Sequence, residues 1–186
     1  MRLPPPDEAD LSPTQEAYKQ AVAEGRKGLL DDVWRLGPFG VLQHAPEMGL
    51  AALPVGTAVR QTSLSVQARE IAILAAGIHH RAKFEFAAHR AIGVAGGLDG
   101  EALDRWAAGG DPGFEGENDV ARRVASTLVS TSRLPDDLYA EGVATFGETG
   151  LVELVSSVGY YCMVSLTLNA FEVPLVDGMT DPWPED

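Results

Sequence analysis

Apolar and polar positions along the chain follow a helical rhythm almost everywhere, and no run alternates with the period of two that a half-buried strand requires. The firmest pattern begins at Ser65, an N-cap residue, after which Ile71, Leu74, Ala75 and Ile78 repeat at i, i+3, i+4, i+7 and mark one buried stripe. A break at His80-Arg81 separates it from a second helix, from about Lys83 to the stop at Gly96-Gly97, so the two form a helical hairpin. Upstream, Ser12-Pro13-Thr14-Gln15 supplies an N-cap, a proline for the first helical position and a capping-box glutamine, predicting a helix to about Gly25. Gly37, Pro38 and Gly40 make residues 36–40 read as an irregular loop. Ala45-Pro46 opens a helix that carries Met48, Leu50, Ala51 and Leu53 toward the core until Pro54 or soon after.

Downstream, Asp99 caps a short helix through Trp106, followed by a glycine-rich loop over residues 109–113. Asn118 to Ser132 is amphipathic, with Val120, Val124, Leu128 and Val129 on one side; Pro135 to Phe146 forms another helix, and Thr149 caps a last, apolar one. The pattern predicts a single all-α domain over residues 1–186, built around the central hairpin. A proline-rich, flexible N-terminal arm (about 1–11) and a tail (about 176–186) flank it. From Pro174 onward, three prolines and four acids predict an extended, polar segment.

The apolar stretch 151–171 is long enough to span a bilayer. Its Glu153, Ser156, Ser157, Tyr160, Tyr161, Ser165, Thr167 and Asn169 are too many polar groups for lipid, and Lys or Arg anchors are missing from its flanks. A helix of a domain core or subunit interface is the better reading, with no membrane partner. Composition adds one bias: 14 Lys+Arg against 27 Asp+Glu give a net charge of −13, which argues against nucleic acid. The single cysteine, Cys162, leaves no redox pair, no intrachain disulfide and no cysteine metal cluster, and makes the cytoplasm the default compartment.

Candidate chemistry concentrates on the hairpin. Glu85 and His89, four apart, share a helix face with Ala82, Phe86 and Gly93, small or apolar residues that point this face inward. A partly buried carboxylate rises in pKa while an imidazole titrates near neutrality, so the pair suits proton transfer; an ordinary surface ion pair has the same spacing. Glu70 can be carried toward them by the hairpin, or can simply gain from the helix N-terminus beside Arg69. His79 and His80 end the first helix, where the dipole favours an imidazolium. Glu70, His79, Glu85 and His89 are also metal-ligand types, but the Glu-x-x-His spacing of carboxylate-bridged bundles is missing. No cofactor and no metal is expected. Neither a phosphate-binding glycine loop nor a GxSxG elbow is present.

With its Gly37-Pro38-Phe39-Gly40, His44-Ala45-Pro46-Glu47, Arg69-Glu70-Ile71-Ala72-Ile73-Leu74, Phe84-Glu85-Phe86-Ala87-Ala88-His89, Gly159-Tyr160-Tyr161 and Leu168-Asn169-Ala170-Phe171-Glu172-Val173-Pro174-Leu175 elements, the chain resembles the carboxymuconolactone decarboxylase family. That family includes the alkylhydroperoxidase-D-like proteins. The resemblance implies an all-helical bundle and a homo-oligomer, trimer or hexamer. In the peroxidase branch a glutamate, a Cys-x-x-Cys pair and a histidine form the site; this frame places Glu70 on the glutamate, Ala82 and Glu85 on the cysteines and His89 on the histidine. Thiol peroxide reduction is thereby disfavoured.

What the resemblance then implies is acid–base chemistry, decarboxylation or isomerisation, on a small organic acid or lactone. His89 would be the main proton donor or acceptor, Glu85 would tune it, Glu70 would complete the relay, and His79 would reach the same cavity. Lys83 or Arg90 would meet a substrate carboxylate or be solvated at the surface. A non-catalytic oligomeric scaffold and a metal-dependent oxidoreductase are the alternatives.

Overall fold

A computed structural model of the protein describes residues 1–26 and 32–184. It is all-helical, with no strand among the described residues. The predicted caps start the helices. Helix α1 (Pro13–Gly25) opens on a complete capping box, Gln15 N–H donating to Ser12 Oγ at 3.3 Å and Ser12 N–H to Gln15 Oε1 at 2.8 Å. Helix α2 (Gly37–Leu42) corrects the loop expected at residues 36–40. Pro38 lies in its first turn, where a fixed φ seeds a helix rather than breaking it, and Gly37 takes φ +55° to enter it. Helix α3 (Pro46–Ala58) continues a turn past Pro54, whose missing donor falls on an exposed side.

Helix α4 (Val66–His79) is the axis of the domain. Ser65 caps it, as the sequence predicts, accepting from Ala68 N–H at 3.1 Å. Its burial is wider than one stripe: Ala68 and every residue from Glu70 to Gly77 are buried, because α7 (Gly116–Thr131), α8 (Asp136–Ala170) and α5 (Lys83–Ala95) enclose it. The link from α4 to α5 is a Schellman turn. Ala82 N–H donates to Gly77 O at 2.8 Å and Arg81 N–H to Ile78 O at 3.0 Å, with Arg81 in the left-handed region at φ +50°. Helix α6 (Gly100–Ala107), capped by Asp99, packs on α5.

The two last helices predicted from the sequence form one element broken at Gly147, whose φ +69°, ψ 172° is glycine territory; the break falls two residues before Thr149. Among the described residues, α8 alone is long and apolar enough to cross a membrane. One of its faces, with Leu151, Leu154, Val158, Tyr161 and Leu168, is buried within the domain.

The chain ends lie along this body. Arg2 N–H donates to Phe171 O at 2.8 Å and His44 Nε2–H to Pro4 O at 2.8 Å. The tail departs from the purely extended, polar segment expected: Trp183 is buried against Phe86, ring centroids 5.4 Å apart, and its indole N–H donates to Ala107 O at 2.8 Å.

Candidate functional site

The antiparallel pairing of α4 and α5 brings together residues that lie nineteen positions apart in the chain, Glu70 and His89. The two helices meet at ordinary packing distance here: a Cβ at Gly93 would sit 3.7 Å from Glu70 Cβ and one at Gly77 3.6 Å from Glu85 Cγ, and the tightest neighbour of Gly93 is instead Leu98, at 3.1 Å. His89 Nδ1–H donates to Glu70 Oε2 at 2.7 Å, and His89 Nε2 lies 3.1 Å from Glu85 Oε1. The second contact is close enough for strong Coulombic attraction but out of line for a hydrogen bond, so Glu85 Oε1 is buried without a hydrogen-bond partner. Behind Glu70, Arg69 Nε donates to Oε1 at 3.1 Å while its Nη1 donates to Arg60 O at 2.9 Å. The surface ion pair that the i,i+4 spacing also allowed is thereby ruled out: all three side chains are buried.

Burial sets the electrostatics. Desolvation lifts Glu85 from the ordinary 4.5 to about 6, the His89 charge opposing and the Glu70 charge reinforcing. For His89 desolvation works against the imidazolium, but the Glu85 charge and the hydrogen bond to Glu70 outweigh it, so its pKa stands above 6.5. Glu85 and His89 therefore exchange protons near neutrality as a coupled pair.

Geometry divides the roles. Glu85 and His89 line a cavity of about 840 Å³, walled further by Phe39, Phe84, Tyr160 and Val164; Glu70 lies behind the imidazole and does not line it. It is thus Glu70 that orients the imidazole, as a carboxylate fixing a histidine tautomer, and Glu85 that meets whatever enters. Tyr161 stands edge-on to His89, ring centroids 4.9 Å apart, and burial raises its phenol far enough to remain a proton donor.

The other candidates separate from this group. His79, at the exposed C-terminal turn of α4, packs edge-on to His80 and lies outside the cavity walls. Lys83 is tied to Asp181 at 2.7 Å and Arg90 to Asp104 at 2.7 Å, so neither offers a free cation. Cys162 is half-buried in α8, and burial pushes its thiol up, away from the reactive thiolate. Each nitrogen of His89 faces a different carboxylate, and among the described residues no group of three or more His, Cys, Asp or Glu side chains is arranged around a metal-sized point.

Arg69, Arg60 and Arg26 complete the surroundings without having stood out as candidates, together with Tyr161, which the sequence offers only as a polar residue of the apolar last helix. Only Arg69, adjacent to Glu70, carries a local signal; Arg26 and Arg60 come from elements that no short motif connects to the hairpin. Among known proteins, no protein-family model and no curated sequence matches the chain.

Proposed function

We propose that the chain is a carboxymuconolactone decarboxylase-like protein that performs cofactor-free acid–base chemistry, decarboxylation or isomerisation, on a small organic acid or lactone. The observation that carries the reading is the buried Glu70–His89–Glu85 arrangement, with its two proton-exchanging groups facing a cavity large enough for a small ligand. In a decarboxylation, the bond to the departing carboxylate breaks and its electron pair remains on the adjacent carbon as an enolate. His89 Nε2–H then protonates that carbon, Glu70 holding Nδ1–H throughout, and Glu85, with its pKa of about 6, returns a proton to the imidazole. In an isomerisation, the Glu85 carboxylate takes a proton from one carbon and His89 delivers one to another. The Tyr161 phenol is within the same wall as a donor for a developing oxyanion.

The same reading makes the protein a homo-oligomer, trimer or hexamer. An exposed apolar row on α8, Val152, Val155, Met163 and Leu166, supports an assembly. Turnover of a panel of β-keto acids and carboxy-lactones, followed by CO₂ release and by deuterium incorporation from solvent, tests the chemistry. Wild type is expected to turn over a member of the panel, and His89→Gln, with unchanged helicity and oligomeric state, to lose about 10²–10⁴-fold of that rate. Undiminished turnover in the variant removes His89 from the reaction.

A further inference from the structure

The cavity wall holds three arginine side chains, Arg26, Arg60 and Arg90, and one of them is already engaged. Arg90 makes a two-pronged pair with Asp104, both contacts at 2.7 Å. Lys83, outside the cavity wall, is likewise taken by Asp181. Arg26, directly after α1, and Arg60, two residues after α3, differ: both line the cavity, and among the described residues no carboxylate pairs with either guanidinium.

Their placement adds to this. Arg26 and Arg60 come from separate elements yet lie within Coulombic reach of each other, and burial together with the Arg60 charge disfavours the Arg26 cation. Two like charges drawn together beside an apolar wall are a cost that an anion seated between them removes. Arg26 is also held in position: its guanidinium lies 5.0 Å from the Phe39 ring centroid and Nη1 donates to Gly25 O at 3.2 Å, its other N–H groups having no hydrogen-bond partner among the described residues. Arg60 acts electrostatically on His89, Tyr160 and Tyr161, so it stands at the same end of the cavity as the proton relay. Its backbone carbonyl is tied to Arg69, the residue that braces Glu70.

We propose that Arg26 and Arg60 together bind the carboxylate of the ligand, whose apolar body lies against Phe39, Phe84 and Val164. The planar guanidinium fork matches a carboxylate, and two forks from different walls fix its orientation as well as its charge. The group so held stays on the molecule through the reaction, because paired guanidiniums favour a carboxylate over neutral CO₂. The ligand class is therefore an organic acid carrying an anchoring carboxylate at a distance from its reacting carbon. This inference rests on the reading of the cavity as a substrate site, but binding tests it without turnover.

The probes are 4-phenylbutanoate and its neutral isostere 4-phenylbutanamide, titrated calorimetrically at pH 7.5. Wild type is expected to bind the carboxylate at least about tenfold more tightly than the amide, as charge-assisted hydrogen bonds provide. Added NaCl should weaken the carboxylate alone. Arg26→Gln and Arg60→Gln each reduce the preference severalfold, and the double variant abolishes it, while Arg60→Lys retains part. His89→Gln keeps the preference. Equal affinity for the two probes, no saturable binding of the carboxylate by wild type, or a preference that survives in the double variant overturns the proposal. Should either glutamine variant fail to fold, the salt dependence and probe preference of wild type still decide. Loss of turnover in His89→Gln without any carboxylate preference would sink the anchoring pair and leave the acid–base reading intact; a preference without turnover would do the reverse.

Discussion

Glu85→Gln converts a buried acid into a neutral isostere of its protonated form, and the structure gives the sign and size of the effect on stability. The folded protein holds the Glu85 pKa at about 6, against 4.5 for the ordinary side chain. Because the folded value is the higher one, the unfolded chain releases this proton first. Stability therefore falls as pH rises through the window from 4.5 to about 6. At about 1.4 kcal/mol per pH unit between the two values, the charged carboxylate costs the folded protein about 2 kcal/mol once the window is passed. His89 acts in the same direction: its raised pKa contributes stability that is complete below 6.5 and lost as pH rises through the folded value.

The variant should then match wild type near pH 4 and exceed it by about 2 kcal/mol at pH 7. The gap should widen further once His89 deprotonates and its compensating charge disappears. Urea unfolding followed by far-ultraviolet circular dichroism, at half-unit intervals from pH 4 to 9, reads the difference between the two curves. A gap independent of pH, or a variant less stable than wild type at pH 7, would refute the reasoning. Either would mean that Glu85 is solvated or hydrogen-bonded in solution.

Glu70→Gln works in the opposite sense, since it removes the acceptor that charges both Arg69 and His89. It should destabilise by about 2–3 kcal/mol and lower the His89 pKa, followed by proton NMR of the imidazole; an unmoved titration would show that Glu70 does not hold the ring. Gly97→Ala places a Cβ at φ +98° and should cost about 1–2 kcal/mol in thermal or urea unfolding, whereas Ala95→Gly within α5 should cost about 1 kcal/mol or less. Trp183→Phe removes the indole bond to Ala107 O and keeps the ring contact with Phe86, for a loss of about 1 kcal/mol. Trp183→Ala should lose about 3 kcal/mol, and equal losses for the two would place the tail off the body in solution.

What sequence made legible, and what it hid, follows the range of the interactions. The hairpin was readable because Ser65, the i, i+3, i+4 apolar positions and Gly96-Gly97 each act within a turn or two. The facing of Glu85 and His89 was readable because four residues make one turn. Glu70 was ambiguous, since a carboxylate near a helix N-terminus gains from the dipole wherever it points, and only the crossing of α4 on α5 decides that it points to His89. The dipole accounts for His79 equally well, and there the exposed position is what it occupies.

Residues 36–40 were misread because glycine and proline break helices in their middle but start them at the first turn, and spacing alone does not say which applies. Arg26, Arg60, Tyr161 and Trp183 come to the hairpin from remote elements. No periodicity links them to it, so the walls of the cavity were hidden where its proton chemistry was not.

The Schellman turn at Arg81 keeps Glu70, Glu85 and His89 on one hairpin, and this locality has a consequence for assembly and for divergence. Contacts between neighbours in sequence close small loops at little entropic cost, so the proton-handling group depends on one short stretch of chain and not on the N-terminal helices or the tail. Segments remote from the hairpin carry Arg26, Phe39, Arg60 and the residues around Met179, which face the space in front of the relay. Reaction and selectivity thus occupy different stretches of the gene. Insertions or substitutions in those remote segments can change which molecule is admitted while the chemistry offered to it stays the same.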